Sequence, residues 1–250
     1  MAFLTCHFKS DVLGKACAMN VIVPQKPTRK ECPPYPVLYL LHGLSDDYSI
    51  WARHTSIERY AWDYDVVIVM PDGERGFYTD AQVGFNYWTM LSQELPEIVA
   101  NIFPISRRRE DTFAAGLSMG GYGALKLALK QPDKFAGAVG ISSVADIKDW
   151  FTNVRATPEM ANIFGSNEII DREGNDLFAL AESAKNSATP PKIMTICGTE
   201  DFLYQNNQNL RNHFQKIGYP GYEYREGPGV HTWSFWDQWI QVAMKFLLEK

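Results

Sequence analysis

Ser118 is the residue whose surroundings most clearly prepare it for chemistry: it stands in Gly116-Leu117-Ser118-Met119-Gly120, after the apolar run 112–115 and before the helix-forming run 122–130. A Gly-x-Ser-x-Gly between a strand and a helix is the pattern of a nucleophile elbow. The turn is tight, so neighbouring backbone passes close to both flanks and a Cβ at either would clash. That geometry lifts the hydroxyl clear of a sheet. It also sets Ser118 before a helix start, where unpaired N–H groups and the positive end of the helix dipole face a developing oxyanion.

Five residues are a weak pattern alone, so the rest of the chain must supply an acid, a base and an oxyanion hole. After a serine on a strand-to-helix turn, the partners come in the order Asp or Glu, then His. The apolar run 193–197 reads as a buried strand, and Gly198-Thr199-Glu200-Asp201 as the loop leaving its C-terminal end, where open α/β sheets carry their chemistry. Residues 222–226 read as a last strand, and Gly227-Pro228-Gly229-Val230-His231 as a glycine-rich loop before the final helix. Asp201 and His231 are therefore the expected acid and base. Asp146 and Asp149, after the preceding strand, compete with Asp201, and the later loop favours Asp201. Among His7, His42, His54, His213 and His231, only His231 follows both Ser118 and Asp201 on a loop. His42 is expected to hold the oxyanion loop by hydrogen bonds, and His213, in a candidate helix over 206–216, to lie at the surface. The hole itself combines the N–H after the nucleophile with one from the loop after an earlier strand. With Val37–Leu41 as that strand and His42-Gly43-Leu44-Ser45 as its loop, the donors are the backbone N–H groups of Leu44 and Met119.

Strands and helices must position these loops. Residues 3–9 and 17–23 alternate apolar and polar around a turn at 11–15 and read as an antiparallel pair at one sheet edge. Residues 26–36, with Pro27, Pro33, Pro34 and Pro36, read as a loop. Short apolar runs at 66–70, 112–116, 137–141 and 193–197, separated by helical stretches, argue for a largely parallel sheet covered on both faces. Two stretches break the rhythm. Residues 72–88 are rich in glycine and aromatics and 150–180 form an insertion; both read as walls or lid of a substrate cleft. The competing reading is that Phe77, Tyr78, Trp88, Trp150 and Phe151 fill a second small core.

Size and charge narrow the classes. A chain of 250 residues with no linker-like segment reads as one domain. A net charge of −5 disfavours a nucleic-acid partner, and Arg107-Arg108-Arg109, followed by Glu110-Asp111, reads as a solvated loop. The N-terminus lacks the basic segment and apolar core of a signal peptide, and no apolar run approaches the ~18 residues of a membrane span. Four cysteines, Cys6, Cys17, Cys32 and Cys197, show neither Cys-x-x-Cys nor metal-type spacing and read as reduced thiols of a cytosolic protein. Cys6 and Cys17 lie on neighbouring candidate strands, near enough in principle to bridge. Asp46 and Asp47 with His42 or His54 match no metal motif, so a capping or solvated role is expected and no metal or cofactor is called for.

Leu41-His42-Gly43, Met70-Pro71-Asp72-Gly73, Glu94-Leu95-Pro96, the stretch from Gly116 to Ala124, Cys197-Gly198-Thr199-Glu200-Asp201 and Gly229-Val230-His231-Thr232-Trp233 span most of the chain. In this order they resemble the esterase family that contains S-formylglutathione hydrolases, feruloyl and acetylxylan esterases and bacterial tributyrin esterases. The likeness is nearest to the tributyrin-esterase-like branch, because Gly-Leu-Ser stands where formylglutathione hydrolases commonly have Gly-His-Ser. The resemblance implies an α/β-hydrolase fold with nucleophile Ser118, acid Asp201 and base His231. It also implies a cofactor-free serine carboxylesterase acting on small-molecule esters of short acyl groups, acetyl to butyryl, on alcohols including acylated sugars, in a protein that can form homo-oligomers. S-formylglutathione-type thioester hydrolysis and acyl transfer are the alternatives. A non-catalytic binding module is the remote one, against which the intact Ser, Asp and His set argues.

Overall fold

The computed structural model describes residues 1–25, 34–154 and 156–249. Cys32, Pro27 and Pro33 lie outside them. Eight strands form one sheet: β1 (Ala2–Ser10), β2 (Lys15–Val23), β3 (Val37–Leu41), β4 (Val67–Pro71), β5 (Thr112–Leu117), β6 (Gly137–Ile141), β7 (Lys192–Gly198) and β8 (Tyr222–Gly227), in the spatial order β1-β2-β4-β3-β5-β6-β7-β8. From β4 to β8 all neighbours run parallel, while β2 runs antiparallel to both β1 and β4. The antiparallel pair does sit at one edge, as its alternation required.

Strands β3, β4, β5 and β6 are buried along almost their whole length, and that is why they read as continuous apolar runs rather than alternating ones. Their side chains divide by parity. Val37, Tyr39, Leu41, Val67 and Val69 belong to the core on one face, shared with Met90, Leu95 and Val99 and the helix Met119–Lys130, while Leu38, Leu40, Ile68, Met70, Ala115 and Ile141 belong to the core on the other, shared with Trp51 and the helix Trp233–Leu248. This is the α/β-hydrolase arrangement, a mostly parallel sheet with helices on both faces.

Cys6 and Cys17 are offset in the β1–β2 register, Cys6 lying opposite Met19 and Cys17 opposite Phe8, and both are free thiols. The insertion at 150–180 is largely helical, with Pro158–Phe164 and Asn167–Arg172 preceding the helix Leu177–Lys185. Backbone bonds from Gln82 N–H to Ile163 O and from Val83 N–H to Asn162 O tie it to the 72–88 stretch. The arginine run is a solvated loop, as expected, with Arg107 and Arg108 exposed and Arg109 partly so. Arg107 pairs with Glu97, Arg108 with Asp111, and Arg109 donates to the carbonyls of Pro132 and Thr189.

Two glycines let the chain turn where β5 ends. A Cβ on Gly116 would lie 2.3 Å from Gly120 O, and one on Gly120 would lie 2.3 Å from Leu41 O and 2.6 Å from His42 O. Both collisions are with backbone, which no rotamer change relieves. Gly120→Ala should therefore cost about 3 kcal/mol of stability. Gly218→Ala, left-handed at the end of the helix Tyr204–Ile217 but with nothing within 4 Å of its Cβ, should cost only about 1 kcal/mol. Urea denaturation of the two variants compares them directly, and equal midpoints would contradict the close-approach account.

Candidate active site

Ser118 occupies the turn between β5 and the helix Met119–Lys130 with φ 54° and ψ −118°. A left-handed serine costs of order 1–3 kcal/mol. Three backbone bonds hold it there: Ser118 N–H donates to Ile141 O at 2.9 Å, and its carbonyl accepts from Tyr122 N–H at 3.1 Å and Val144 N–H at 3.2 Å.

The loops after β7 and β8 bring the other two groups to it. His231 Nε2 is 3.1 Å from Ser118 Oγ, and His231 Nδ1 is 2.9 and 3.1 Å from the two carboxylate oxygens of Asp201. A carboxylate only accepts, so the proton of neutral His231 sits on Nδ1 and leaves Nε2 free to accept from the serine. Asp201 is 4 % exposed and also accepts the N–H of Leu203 at 2.8 Å, so its charge is desolvated but satisfied. The imidazole packs against Phe202, centroids 4.6 Å apart, and edge-on against Trp236 at 4.9 Å.

The competing residues are engaged elsewhere. Asp146 caps the short helix Ile147–Asp149 by accepting Asp149 N–H, and burial pushes its carboxyl up. Asp149 accepts from Asn153. His54 stacks on Trp233, and His7 lies on β1. His213 is only 16 % exposed at its side chain and lies 3.1 Å from Phe178 O, so it is no surface residue; the polar residues around it in Tyr204–Ile217 disguised a half-buried position. Burial also pushes the Cys197 thiol up, with the nearby Asp201 charge adding to it, so Cys197 stays protonated and unreactive.

Leu44 and Met119 both line the cleft together with Ser118. Met119 opens its helix, so its N–H has no partner within it. The Leu44 N–H shares a peptide unit with Gly43 O, and that carbonyl is bound by His42 Nδ1 at 2.7 Å and by Asp46 N–H at 3.3 Å. Gly73 N–H donates to His42 Nε2 at 2.9 Å. Because an amide N–H can only donate, Nε2 accepts and Nδ1 carries the proton, so the tautomer of His42 is fixed by its neighbours. His42 thus holds the loop, as its place in the sequence suggested. Asp46 accepts Gly43 N–H, and Asp47 accepts from both the N–H and the hydroxyl of Ser49. Among the described residues no group of three or more His, Cys, Asp or Glu side chains is placed to hold a metal ion.

The cleft encloses about 550 Å³. Phe77 and Trp150, one from each of the two rhythm-breaking stretches, stand in its wall with Val144, Phe202, Trp233 and Trp236, while Arg75 stands at the rim. Tyr78 lies in the core, Phe151 packs against it, and Trp88 sits under the ammonium groups of Lys126 and Lys130. Sequence reasoning missed Phe202, Trp236 and Arg75. Phe202 adjoins Asp201, and Trp236 lies a little over one helical turn beyond His231, so both were within reach of a neighbour-based search. Arg75, bridging Glu159 and Leu44 O, left no such signal. A larger groove of about 820 Å³ lies near Phe3, Arg53 and Trp62, and neither Ser118 nor His231 lines it.

A model of the esterase family matches residues 10–247. An acetyl esterase of Caldicellulosiruptor saccharolyticus is 33% identical over 99% of this chain and 98% of its own length. Among solved structures, the substrate-bound fluorophosphonate-binding serine hydrolase FphF of Staphylococcus aureus superposes with a TM-score of 0.92 at 33% identity, covering 100% of this chain and 99% of that one. The S-formylglutathione hydrolase FrmB of the same organism gives 0.88 at 33% identity over 99% of each chain. With the family pattern matched over nearly its whole length, the chain belongs to the esterase family.

Proposed function

We propose that the chain is a serine carboxylesterase that hydrolyses esters of short acyl groups, acetyl to butyryl, through an acyl-enzyme on Ser118. The observation that carries this is the continuous line from Asp201 through His231 to Ser118 Oγ, facing a cleft walled by aromatic rings. Ser118 Oγ attacks the ester carbonyl as its proton passes to His231 Nε2. Asp201 orients the ring and stabilises the imidazolium. The tetrahedral oxyanion lies against the N–H groups of Leu44 and Met119. Collapse breaks the bond to the alcohol, which leaves with the proton from His231, and water then repeats the sequence on the acyl-serine to release the acid and free Ser118.

The similarity to an acetyl esterase over both full lengths supports a small acyl group. Phe77, Trp150 and Phe202 line the cleft with Ser118, and bulky rings there favour a small acyl group. The equal identity to an S-formylglutathione hydrolase supports a second reading, thioester hydrolysis by the same groups, and parallel assay of an ester and a thioester separates the two. We read the chain as one domain whose 72–88 and 150–180 stretches form the cleft. Free Cys6, Cys17 and Cys197 support a reducing, cytoplasmic setting. Among the described residues no helix is long and apolar enough to cross a membrane.

Ser118→Ala should lower kcat by at least ~10³-fold and abolish fluorophosphonate labelling while leaving the unfolding midpoint near that of the parent. Activity within tenfold of the parent would remove Ser118 from the mechanism. Asp201→Asn should lower kcat by about 10²–10⁴, because the amide cannot hold the required tautomer, whereas Asp146→Asn should leave kcat nearly unchanged. The reverse pattern would move the acid to the β6 loop. Across p-nitrophenyl esters from acetate to decanoate, kcat/KM should fall beyond about six carbons, since each methylene offers at most ~0.8 kcal/mol and only if it finds room. A maximum at octanoate or longer would mean an open acyl channel.

A further inference from the structure

Lys126 takes no part in the steps above, yet it is the most unusual charged residue of the fold. It lies one helical turn beyond Tyr122 on the helix that begins at the elbow, and it is fully buried. Lysines are almost never fully buried unless paired, and among the described residues no carboxylate pairs with it. The oxygens of Asp80, whose charge it feels, accept the N–H and the hydroxyl of Thr89 instead. Lys126 Nζ donates to Tyr78 O at 3.1 Å and to Thr79 Oγ1 at 2.9 Å, and stands 4.7 Å from the ring centre of Trp88. Burial pushes the ammonium well below the usual lysine range. A neutral amine still has two N–H groups, enough for both bonds.

What those bonds hold is strained. Phe77 and Tyr78 are consecutive bulky residues with φ 47° and 48°, a conformation kept only where the surroundings over-determine it. The Tyr78 ring lies where a Cβ on Gly73 or Gly123 would be 2.3 or 2.4 Å from it, and its hydroxyl donates to His42 O at 3.0 Å. His42 in turn binds Gly43 O, the carbonyl of the peptide that carries the Leu44 N–H. Phe77, the other strained residue, stands in the cleft wall.

We propose that Lys126 is a positioning residue for the oxyanion hole: by fixing the backbone at Tyr78 it keeps the Tyr78 hydroxyl on His42 and so aims the Leu44 N–H. The inference rests on the esterase reading above. It deepens it by making the hole depend on a buried amine in the helix behind the nucleophile. The network gives Tyr78 the intermediate place, so Lys126 and Tyr78 act in series.

The test uses the full chain carrying Lys126→Met, Tyr78→Phe and the pair together, with kcat normalised to sites titrated by a fluorophosphonate. Each single change should lower kcat about tenfold with KM changing less than about threefold, the signature of an interaction made in the transition state. The double variant should be no worse than the poorer single one, since groups acting in series are not additive. A trifluoromethyl ketone, which forms a tetrahedral oxyanion on the serine, should bind more weakly by the same factor as kcat/KM falls. The matching methyl ketone should bind as before. A merely structural role would lower the unfolding midpoint and the titratable fraction without moving the ratio of the two ketone affinities. Should Lys126→Met fail to fold, Tyr78→Phe decides alone, because it removes one hydroxyl and keeps the ring. Parental kcat and ketone ratio in the folded variants, or losses that add, overturn the proposal. A parent chain that hydrolyses no ester and takes no label at Ser118 overturns the esterase reading first, and this inference with it.

Discussion

Everything at the catalytic edge of this sheet depends on two backbones passing with no side chain between them. Leu41 pairs with Gly116 in the β3–β5 register, and one turn later Gly120 presses on the carbonyls of Leu41 and His42. This contact fixes the helix after Ser118 against the loop after β3. Met119 at the head of the helix and Leu44 in the loop, the proposed oxyanion donors, then line the same cleft. An oxyanion hole assembled from two separate chain segments needs such a shared reference, because each donor alone is only as well aimed as its own loop. The glycines supply it by being absent as side chains.

The loops that carry Asp201 and His231, the proposed acid and base, are joined to each other before they reach the serine. Thr199 N–H donates to Gly227 O, Glu200 N–H donates to Gly229 O, and Gly229 N–H returns a bond to the Glu200 carboxylate. That last bond holds the Glu200 carboxyl below the usual range. At Gly198 a Cβ would be 2.2 Å from Gly229 O, so the loops after β7 and β8 behave as one ribbon extending beyond the sheet. Parallel pairing of β7 and β8 sets the direction. His231 therefore comes back over β7 toward β5, and Asp201 sits beneath it with its own N–H turned to Gly198 O.

The parts of this design that were legible in the sequence are those with local causes. A strand buried on both faces must be apolar throughout, so β3, β5 and β6 stood out, while β4 runs one residue later than its apolar run because Pro71 still pairs with Met19. The helix after Ser118 begins at Met119 rather than near Tyr122; Gly120, Gly121 and Gly123 argue against helix by propensity, and tertiary contact with β3 overrides it. The triad candidates were legible because each ends a recognisable strand. What was hidden depends on distant pairs. Tyr78 could not be separated from Phe77 as core against cleft wall, since adjacent aromatics look alike until the fold decides which one faces Gly73 and Gly123. Lys126 resembles any polar residue of an amphipathic helix, and only the return of the 77–80 segment over that face reveals that it is buried.

That burial bears on how strongly the proposed oxyanion donors act. Backbone dipoles stabilise a developing charge in proportion to how little they must reorganise and how little water screens them. Aromatic walls at Phe77, Trp150, Phe202 and Trp236 address the screening. Reorganisation is addressed by layers: Leu44 lies on a peptide whose carbonyl is bound by His42, His42 is gripped at both ring nitrogens, and its own carbonyl accepts from Tyr78. The supporting layers are all enclosed: Leu44 is partly exposed, whereas His42, Tyr78 and Lys126 are buried. Rigidity is transmitted inward to outward, so the donors at the cleft can be stiff even though the loop that carries them is at the surface.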